Sequence, residues 1–148
     1  MIRDNVILEI EDKDMPQLNE LLNTTFNDMI DIDKMKESYA LSKENKNTHI
    51  LGYYKKDMLI GSLALNVLVL PNMKCGLIWN VAVKEEFKRQ KIATKLMIEA
   101  EKIAEKDKDI SRLWLFSGYQ RTGAHKLYQN LGYDGNRTKG FVKFINGS

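Results

Sequence analysis

Cysteine, proline and histidine are scarce in this chain of 148 residues, which has one cysteine, two prolines and two histidines. The single cysteine, Cys75, excludes an internal disulfide and favours a reducing compartment, so we expect a cytoplasmic protein. The sequence also has no zinc-finger spacing and no RNP-like aromatic motif. We therefore expect neither a metal site nor a nucleic-acid partner.

Long apolar runs, repeats and low-complexity linkers are absent as well. No run approaches the about 20 residues of a membrane-spanning helix, and residues 1–5 do not open a signal peptide, so no membrane partner is expected. No Pro/Gly/Ser linker divides the chain, which favours one domain over residues 1–148. The net charge is only +3, with both signs interspersed.

The hydrophobic pattern predicts groups of strands and helices in a mixed order. Asp14, followed by Pro16 and Gln17, predicts a helix cap, and Gly132 predicts a helix stop in the left-handed conformation. Strands are predicted at 6–10, 49–54, 58–68, 75–83, 111–116 and 141–145, with helices starting at Asp14 and spanning 31–41, 89–107 and 122–131. The order β-α-α-β-β-β-α-β-α-β predicts an α/β fold around one mixed sheet.

The segment 81–97 is the most informative part of the chain. It is predicted to form a buried strand, a short polar turn and a helix whose first turn is rich in positive charge. A helix start presents unpaired backbone N–H groups and the positive end of the helix dipole. The cations there are Lys88, Arg89, Lys91 and Lys95. Together these features indicate a site for a phosphorylated ligand, with a simple solvated helix face as the alternative.

Two motifs at this separation resemble the GCN5-related N-acetyltransferase (GNAT) family, and the similarity extends over nearly the whole chain. Residues 80–97 resemble the family motif Arg/Gln-x-x-Gly-x-Gly/Ala, with Lys88 in the first position, Lys91 in place of the first glycine, and Ala93 matching. Residues 124–133 resemble Ala-x-x-x-Tyr-x-x-x-Gly-Phe/Tyr. The resemblance implies a single-domain GNAT-like fold, with a mixed, mostly antiparallel twisted sheet flanked by helices.

The resemblance further implies acetyl-CoA as cosubstrate and direct acetyl transfer to a primary amine of a small molecule or peptide, by a monomer or homodimer. A non-glycine residue at Lys91 costs little if its φ is helical and more if its φ is positive. The residues that the resemblance assigns to the cosubstrate are Val81, Ala82, Val83, Lys88, Arg89, Gln90, Lys91, Ile92, Ala93, Thr94, Ser117 and Arg121.

Tyr128 is the candidate general acid, because it matches the family tyrosine that protonates the leaving thiolate. The spacing of Ala124, Leu127, Tyr128 and Leu131 also fits an ordinary buried helix stripe. Both roles are compatible if the ring packs and the hydroxyl stays reachable.

The general base is not identified by the sequence. Many relatives carry a glutamate where this chain has Trp79, and an indole cannot accept a proton. A base elsewhere, a water relay or an already neutral amine remain alternatives. Trp79 and Asn80 are candidate substrate-binding residues, with Asp28 and Asp31 as acidic groups for a cationic amine or, alternatively, as helix caps. Asp33 and Glu37 belong to the same acidic region.

A second functional class stays open. The Trp79 and Lys91 departures from the family pattern favour a non-catalytic acyl-CoA-binding module that regulates a partner, whereas retention of Tyr128 favours an enzyme.

Overall fold

The computed structural model describes residues 1–146, which fall into two compact units, residues 1–115 and residues 116–146. In the described part of the chain, no helix is long and apolar enough to cross a membrane.

The first unit is built on a five-stranded sheet with three α-helices. In chain order the α-helices and strands of residues 1–115 are β1 (Val6–Glu9), α1 (Met15–Phe26), α2 (Ile32–Lys43), β2 (Thr48–Lys55), β3 (Met58–Leu70), β4 (Met73–Val83), α3 (Ile92–Glu105) and β5 (Ile110–Leu115). The strand order in the sheet is β1-β2-β3-β4-β5, and all neighbouring strands are antiparallel except β4 and β5, which are parallel. The predicted mixed, mostly antiparallel α/β sheet is thus confirmed.

Helices pack on both faces of this sheet. On one face the core is formed with α1 and α2, and Tyr39 and Ala82 belong to the same buried cluster as the apolar stripe of α1. On the other face α3 packs against β3. The contact is close at Gly61, where a side-chain Cβ atom, which glycine lacks, would come within 2.9 Å of Ile92. A glycine at position 61 therefore lets the start of α3 approach the sheet closely.

The second unit contains α4 (Thr122–Asn130) and the segment that follows it. Gly132 has a φ of +94° and its N–H donates to the Gln129 carbonyl, while the Tyr133 N–H donates to the Tyr128 carbonyl. These bonds satisfy carbonyl groups at the helix end. The predicted left-handed stop at Gly132 is confirmed.

The predicted last strand at 141–145 is wrong, because no regular strand forms in the described residues after α4. The side chains of Phe141, Val142, Phe144 and Ile145 are 68–90% exposed. The alternation of residues along this segment favours a strand, but a strand also requires a hydrogen-bonded neighbour.

One helix start and one helix cap differ from the predictions. The helix expected from residue 89 begins at Ile92, so most of the basic residues precede it. Asp14 is the N-cap residue of α1 as predicted, but its carboxylate makes no capping hydrogen bond to that helix. It instead accepts hydrogen bonds from the Glu11 N–H, the Tyr54 hydroxyl and the Arg3 guanidinium, at 3.0, 2.7 and 2.9 Å.

Candidate functional site

The β4–α3 loop, residues 84–91, joins the end of β4 to the start of α3 and has an unusual backbone. It begins with a short 3₁₀ turn, Glu85–Phe87. Arg89 and Lys91 then take positive φ values of 70° and 62°, in the left-handed region that favours glycine. Lys91 occupies the position where the family pattern has glycine. Its backbone has the left-handed conformation that favours glycine, although the residue is a lysine.

The start of α3 has no side-chain cap. Lys91 is the N-cap residue, and an ammonium group can donate but cannot accept a hydrogen bond from the helix N–H groups. The first N–H groups of an α-helix have no partner within the helix, and they carry the positive end of the helix dipole. Ile92, Ala93 and Thr94 supply these groups. Helix starts with unpaired N–H groups are in general favourable positions for anions.

Positive side chains surround this helix start. The Lys55 Nζ lies 3.4 Å from the Gln90 Oε1, and the Lys95 Nζ lies 5.7 Å from the centre of the Tyr53 ring. Lys88 pairs with Glu85 at 2.8 Å and lowers the pKa of that carboxyl. Because both side chains of this pair are exposed, the ion pair is weak and its lysine remains available to a ligand.

We predict that Lys91→Gly stabilises the protein by about 1 kcal/mol, since a left-handed backbone costs a non-glycine residue about 1–2 kcal/mol. Urea unfolding of both proteins measures this difference. Lys88→Gly is the matched control, because Lys88 has an ordinary φ of −63° and no strain to relieve. That control should be neutral or destabilising. Equal effects at the two positions would contradict the assignment of strain to Lys91.

The end of β4 extends beyond the part of this strand that pairs with β5. The pairing of β4 with β5 ends at Ile78 and Leu115, whereas β4 continues to Val83. Within residues 1–115, no strand pairs with this side of β4 at Val81 and Val83. Ala82 offers only its backbone, because its side chain is buried.

A β-bulge in β4 sets the direction of Trp79. Ser62 and Ala64 of β3 pair with Ala82 and Trp79 respectively, so β4 has one extra residue in this interval. Asn80 takes up that extra residue with a φ of 54°. Ser62 and Ala64 are two positions apart on β3, so their side chains lie on the same face of the sheet. Their partners on β4, Ala82 and Trp79, therefore lie on that face as well. That face is the one covered by α1, yet Trp79 remains 49% exposed.

The second unit holds the remaining predicted residues, Ser117, Arg121 and Tyr128. The Ser117 Oγ is buried and has no hydrogen-bond partner in the described part of the chain. Burial raises the pKa of the Tyr128 phenol, and the positive charge of Arg121 offsets part of that rise. The Tyr128 ring packs edge-on against Tyr133, with 6.4 Å between ring centres. Tyr128 therefore combines a packed ring with a firmly held proton.

The acidic residues of the predicted acceptor region have different structural roles. Asp31 is the N-cap of α2 and accepts hydrogen bonds from the N–H groups of Asp33 and Lys34 at 3.1 and 3.2 Å. Asp28 lies exposed in the loop between α1 and α2. Asp33 and Glu37 lie exposed on α2. The capping alternative thus holds for Asp31.

Three features of this region were not predicted from the sequence. They are the bulge at Asn80, the positive φ of Arg89, and the hydrogen bonds that Asn19 and Asn23 make to Ile30. Asparagine tolerates the left-handed conformation, so Asn80 within an apolar strand was an available signal. Arg89, Asn19 and Asn23 carry no comparable signal.

A sequence model described as the acetyltransferase (GNAT) family matches residues 15–133. Among solved structures, the chain is similar to glucosamine-6-phosphate N-acetyltransferase from Arabidopsis thaliana, with a TM-score of 0.79, 15% identity and coverage of 95% of this chain and 98% of that chain. It is also similar to ribosomal-protein-alanine N-acetyltransferase from Brucella melitensis biovar Abortus 2308, with a TM-score of 0.76, 18% identity and coverage of 94% and 99%.

A transcriptional regulator from Bacillus halodurans C-125 has a similar structure too, with a TM-score of 0.79, 17% identity and coverage of 97% of this chain and 100% of that chain. A search of curated proteins finds no significant match. At these identities the structural likeness shows the fold alone. The three names differ in what each protein does, so the fold does not select an acceptor.

Proposed function

Because the family match covers residues 15–133, this chain belongs to the GNAT acetyltransferase family, and we propose that it is an acetyl-CoA-dependent N-acetyltransferase that transfers acetyl directly to a primary amine. The acceptor in this proposal is a small molecule or a peptide terminus. The observation that carries the proposal is the uncapped start of α3, with Lys88, Arg89 and Lys91 immediately before it.

The residues present fit the phosphate groups of acetyl-CoA. The N–H groups of Ile92, Ala93 and Thr94 would bind the pyrophosphate, and the nearby cations would add charge-assisted contacts. The β4 backbone at Val81 and Val83, beyond the pairing with β5, would hold the extended arm of the molecule through hydrogen bonds. When bound, acetyl-CoA supplies an activated acetyl group as a thioester. A backbone N–H at the end of β4 would stabilise negative charge that develops on the carbonyl oxygen.

Tyr128 is proposed to donate the proton that the departing thiolate requires. A tyrosine phenol has an ordinary pKa of about 10 and is therefore protonated at neutral pH. Burial raises the pKa of Tyr128 further, so the proton is present when the thiolate departs.

Acetyl-CoA binding provides the test of the cosubstrate site. Replacing both Lys88 and Arg89 with alanine should weaken binding by about 1–3 kcal/mol in total, because each charge-assisted contact is modest. Binding to the unchanged protein should weaken as salt rises, because exposed charges are screened. Isothermal titration calorimetry measures both effects.

The matched control replaces Lys106 and Lys108 with alanine, which removes the same charge at the opposite end of α3. The control should bind acetyl-CoA like the unchanged protein. Absence of micromolar binding in the unchanged protein would overturn the proposed function.

We expect the rate to rise with pH and its inflection to follow the pKa of the acceptor amine. Trp79 leaves no carboxylate at the usual strand position, so the enzyme depends on the neutral fraction of the amine or on water. An alkylamine with a pKa of about 10 is mostly protonated at pH 7. Rate profiles with acceptors of different pKa measure the shift. An inflection that stays near neutral for every acceptor and disappears on one Asp or Glu substitution would instead identify a protein base.

The rival function is a non-catalytic acyl-CoA-binding regulatory module. The strained backbone at Lys91 and the indole at Trp79 favour it, since neither feature helps the chemistry. Thiol release from acetyl-CoA distinguishes the two functions. A monoamine, spermidine and a tripeptide with a free amino terminus form a suitable acceptor panel. Binding without amine-dependent thiol release would favour the regulatory module.

A further inference from the structure

Lys55, the last residue of β2, contacts two residues of the β4–α3 loop. Its Nζ donates a hydrogen bond to the Gln90 Oε1 at 3.4 Å and lies 5.6 Å from the centre of the Phe87 ring, within the range of a cation–π contact. Phe87 and Gln90 flank Lys88 and Arg89 in the chain. One side chain from the sheet therefore connects the loop residues on both sides of these two cations.

The side chain of Lys55 lies on the face of the sheet that α3 covers. Tyr53 and Lys55 are two positions apart on β2, so their side chains share a face. Tyr53 is buried on the α3 side, because the Nζ of Lys95, near the start of α3, lies 5.7 Å from the centre of its ring. Lys55 thus extends on the same face toward the residues that immediately precede α3.

The hairpin turn that follows Lys55 is held by the N-terminal segment. Lys56 and Asp57 have positive φ values of 49° and 64°, as in a type I′ turn. The Lys56 N–H donates to the Asp4 carboxylate at 2.8 Å. The Asp57 N–H donates to the Arg3 carbonyl at 2.7 Å, and the Asp57 carboxylate accepts a hydrogen bond from the Arg3 Nε at 2.6 Å. The backbone that carries Lys55 is therefore fixed by contacts outside the β4–α3 loop.

The β4–α3 loop needs external support because its sequence does not favour its conformation. Arg89 and Lys91 both have left-handed backbones, which disfavour residues other than glycine. Gln90, the hydrogen-bond partner of Lys55, lies between them. A contact to Gln90 therefore favours the observed loop conformation over the other backbone states that are open to this segment.

We propose that Lys55 is a positioning residue for acetyl-CoA, and that it holds the β4–α3 loop in the conformation that presents the N–H groups at the start of α3. This inference rests on the proposed acetyltransferase function. The ammonium group acts through Gln90 and Phe87 and need not touch the ligand. A loop ordered before binding loses less conformational entropy when the phosphate groups bind, so these contacts raise the affinity.

The experiment is a double-mutant cycle on the hydrogen-bonded pair, measured by calorimetric titration with acetyl-CoA. Lys55→Met removes the cation and keeps an unbranched side chain, Gln90→Met removes the acceptor, and the double variant removes both. Lys55→Arg keeps a cation that can donate to Gln90 and stack on an aromatic ring. Lys56→Met is the matched control, because it removes the same charge from an exposed position one residue further along the chain.

Three further measurements separate positioning from a general loss of structure. Limited trypsin digestion without ligand reports on the opening of the loop, because trypsin cleaves after lysine and arginine and the loop contains Lys88 and Arg89. Thermal unfolding reports on the stability of the whole protein. Thiol release with the best acceptor of the three-amine panel gives kcat at saturating acetyl-CoA.

For Lys55→Met we expect the Kd of acetyl-CoA to rise about fivefold, with faster trypsin cleavage after Lys88 or Arg89 and a change in kcat of less than about twofold. Gln90→Met should act similarly, and the double variant should weaken binding by clearly less than the product of the two single effects. Lys55→Arg and Lys56→Met should bind like the unchanged protein. Gln90→Met, at an exposed loop position, is the main test if Lys55→Met does not fold.

An unchanged Kd in Lys55→Met, or equal weakening in Lys55→Met and Lys56→Met, would overturn the inference and leave the acetyltransferase function standing. Full additivity in the double variant, or a raised Kd with unchanged trypsin cleavage, would overturn it as well, because Lys55 would then act independently of the loop. Parallel losses in affinity, kcat and melting temperature would show a purely structural role and also overturn it. Absence of acetyl-CoA binding by the unchanged protein would overturn the proposed function and this inference together.

Discussion

Replacing Tyr128 with phenylalanine should lower kcat by about 10²–10⁴, the usual effect of losing one general acid. Phenylalanine keeps the ring that packs edge-on against Tyr133, so folding should be preserved. Only the hydroxyl and its proton are lost. Because the proposed role concerns the leaving thiolate, the affinity for acetyl-CoA should change far less than kcat. Steady-state kinetics and calorimetry on the same preparations measure the two quantities.

Tyr133→Phe is the matched control for this substitution. It removes a hydroxyl from the neighbouring ring in the same unit, yet Tyr133 has no proposed catalytic role. The control should retain a kcat close to that of the unchanged protein. If Tyr128→Phe folds normally and turns over at the normal rate, Tyr128 is a packing residue and the proton comes from another donor.

Arg3→Met should destabilise the protein by about 3–5 kcal/mol, because it removes one partner of a buried ion pair. Arg3 Nη1 lies 2.9 Å from Oδ2 of Asp14, whose side chain is 1% exposed. The guanidinium also lies 3.9 Å from the centre of the fully buried Tyr54 ring. Methionine keeps much of the aliphatic packing, so the loss reports mainly on the unpaired Asp14 carboxylate.

The size of this loss should depend on pH. Burial alone would raise the pKa of Asp14, but hydrogen bonds from Arg3, Tyr54 and the Glu11 N–H outweigh it and hold the pKa below its usual value. A lowered pKa contributes stability that is present above the unfolded pKa of about 3.9 and is lost as pH falls through the folded value. Without Arg3, the carboxyl is protonated more easily. The difference in unfolding free energy should therefore be largest near neutral pH and shrink in acid.

Urea unfolding of both proteins near neutral pH and at about pH 3, below the unfolded pKa of the carboxyl, provides the measurement. Lys13→Met is the control. Among the described residues, the ion pair of Lys13 is with Glu11, at 3.6 Å, and both side chains of that pair are exposed. Exposed pairs contribute about 0–1 kcal/mol, so the control should change little at either pH. A cost for Arg3→Met below that of the control would mean that the buried pair makes no net contribution to stability.

Some of the fold could be predicted from the sequence because it depends on residues close together in the chain. Asp31 caps α2 through N–H groups two and three positions ahead, and Gly132 ends α4 within one turn. The helix stripes and the β2–β3 hairpin follow from periodicity and turn residues in the same way. The resemblance at residues 80–97 and 124–133 pointed to the family for a related reason, since each motif is a short local pattern.

Other features depend on partners far along the chain, and the sequence pattern did not reveal them. Asp14 was predicted to cap α1, but its carboxylate binds Arg3 and Tyr54, and those contacts exist only once β1 pairs with β2. The strand predicted at 141–145 has the right alternation, but strand structure also needs a neighbouring ladder.

The candidate site divides in the same way. Its residue types, a basic segment before a helix and a tyrosine in α4, were visible in the sequence. Its geometry came from three-dimensional constraints: the positive φ of Lys91, the bulge at Asn80 that places Trp79 on the α1 face, and the asparagine bonds that hold Ile30. Backbone dihedrals and strand register are set by the elements packed on either side of a segment. A residue's own side chain biases those choices by about 1 kcal/mol, which tertiary packing readily overrides.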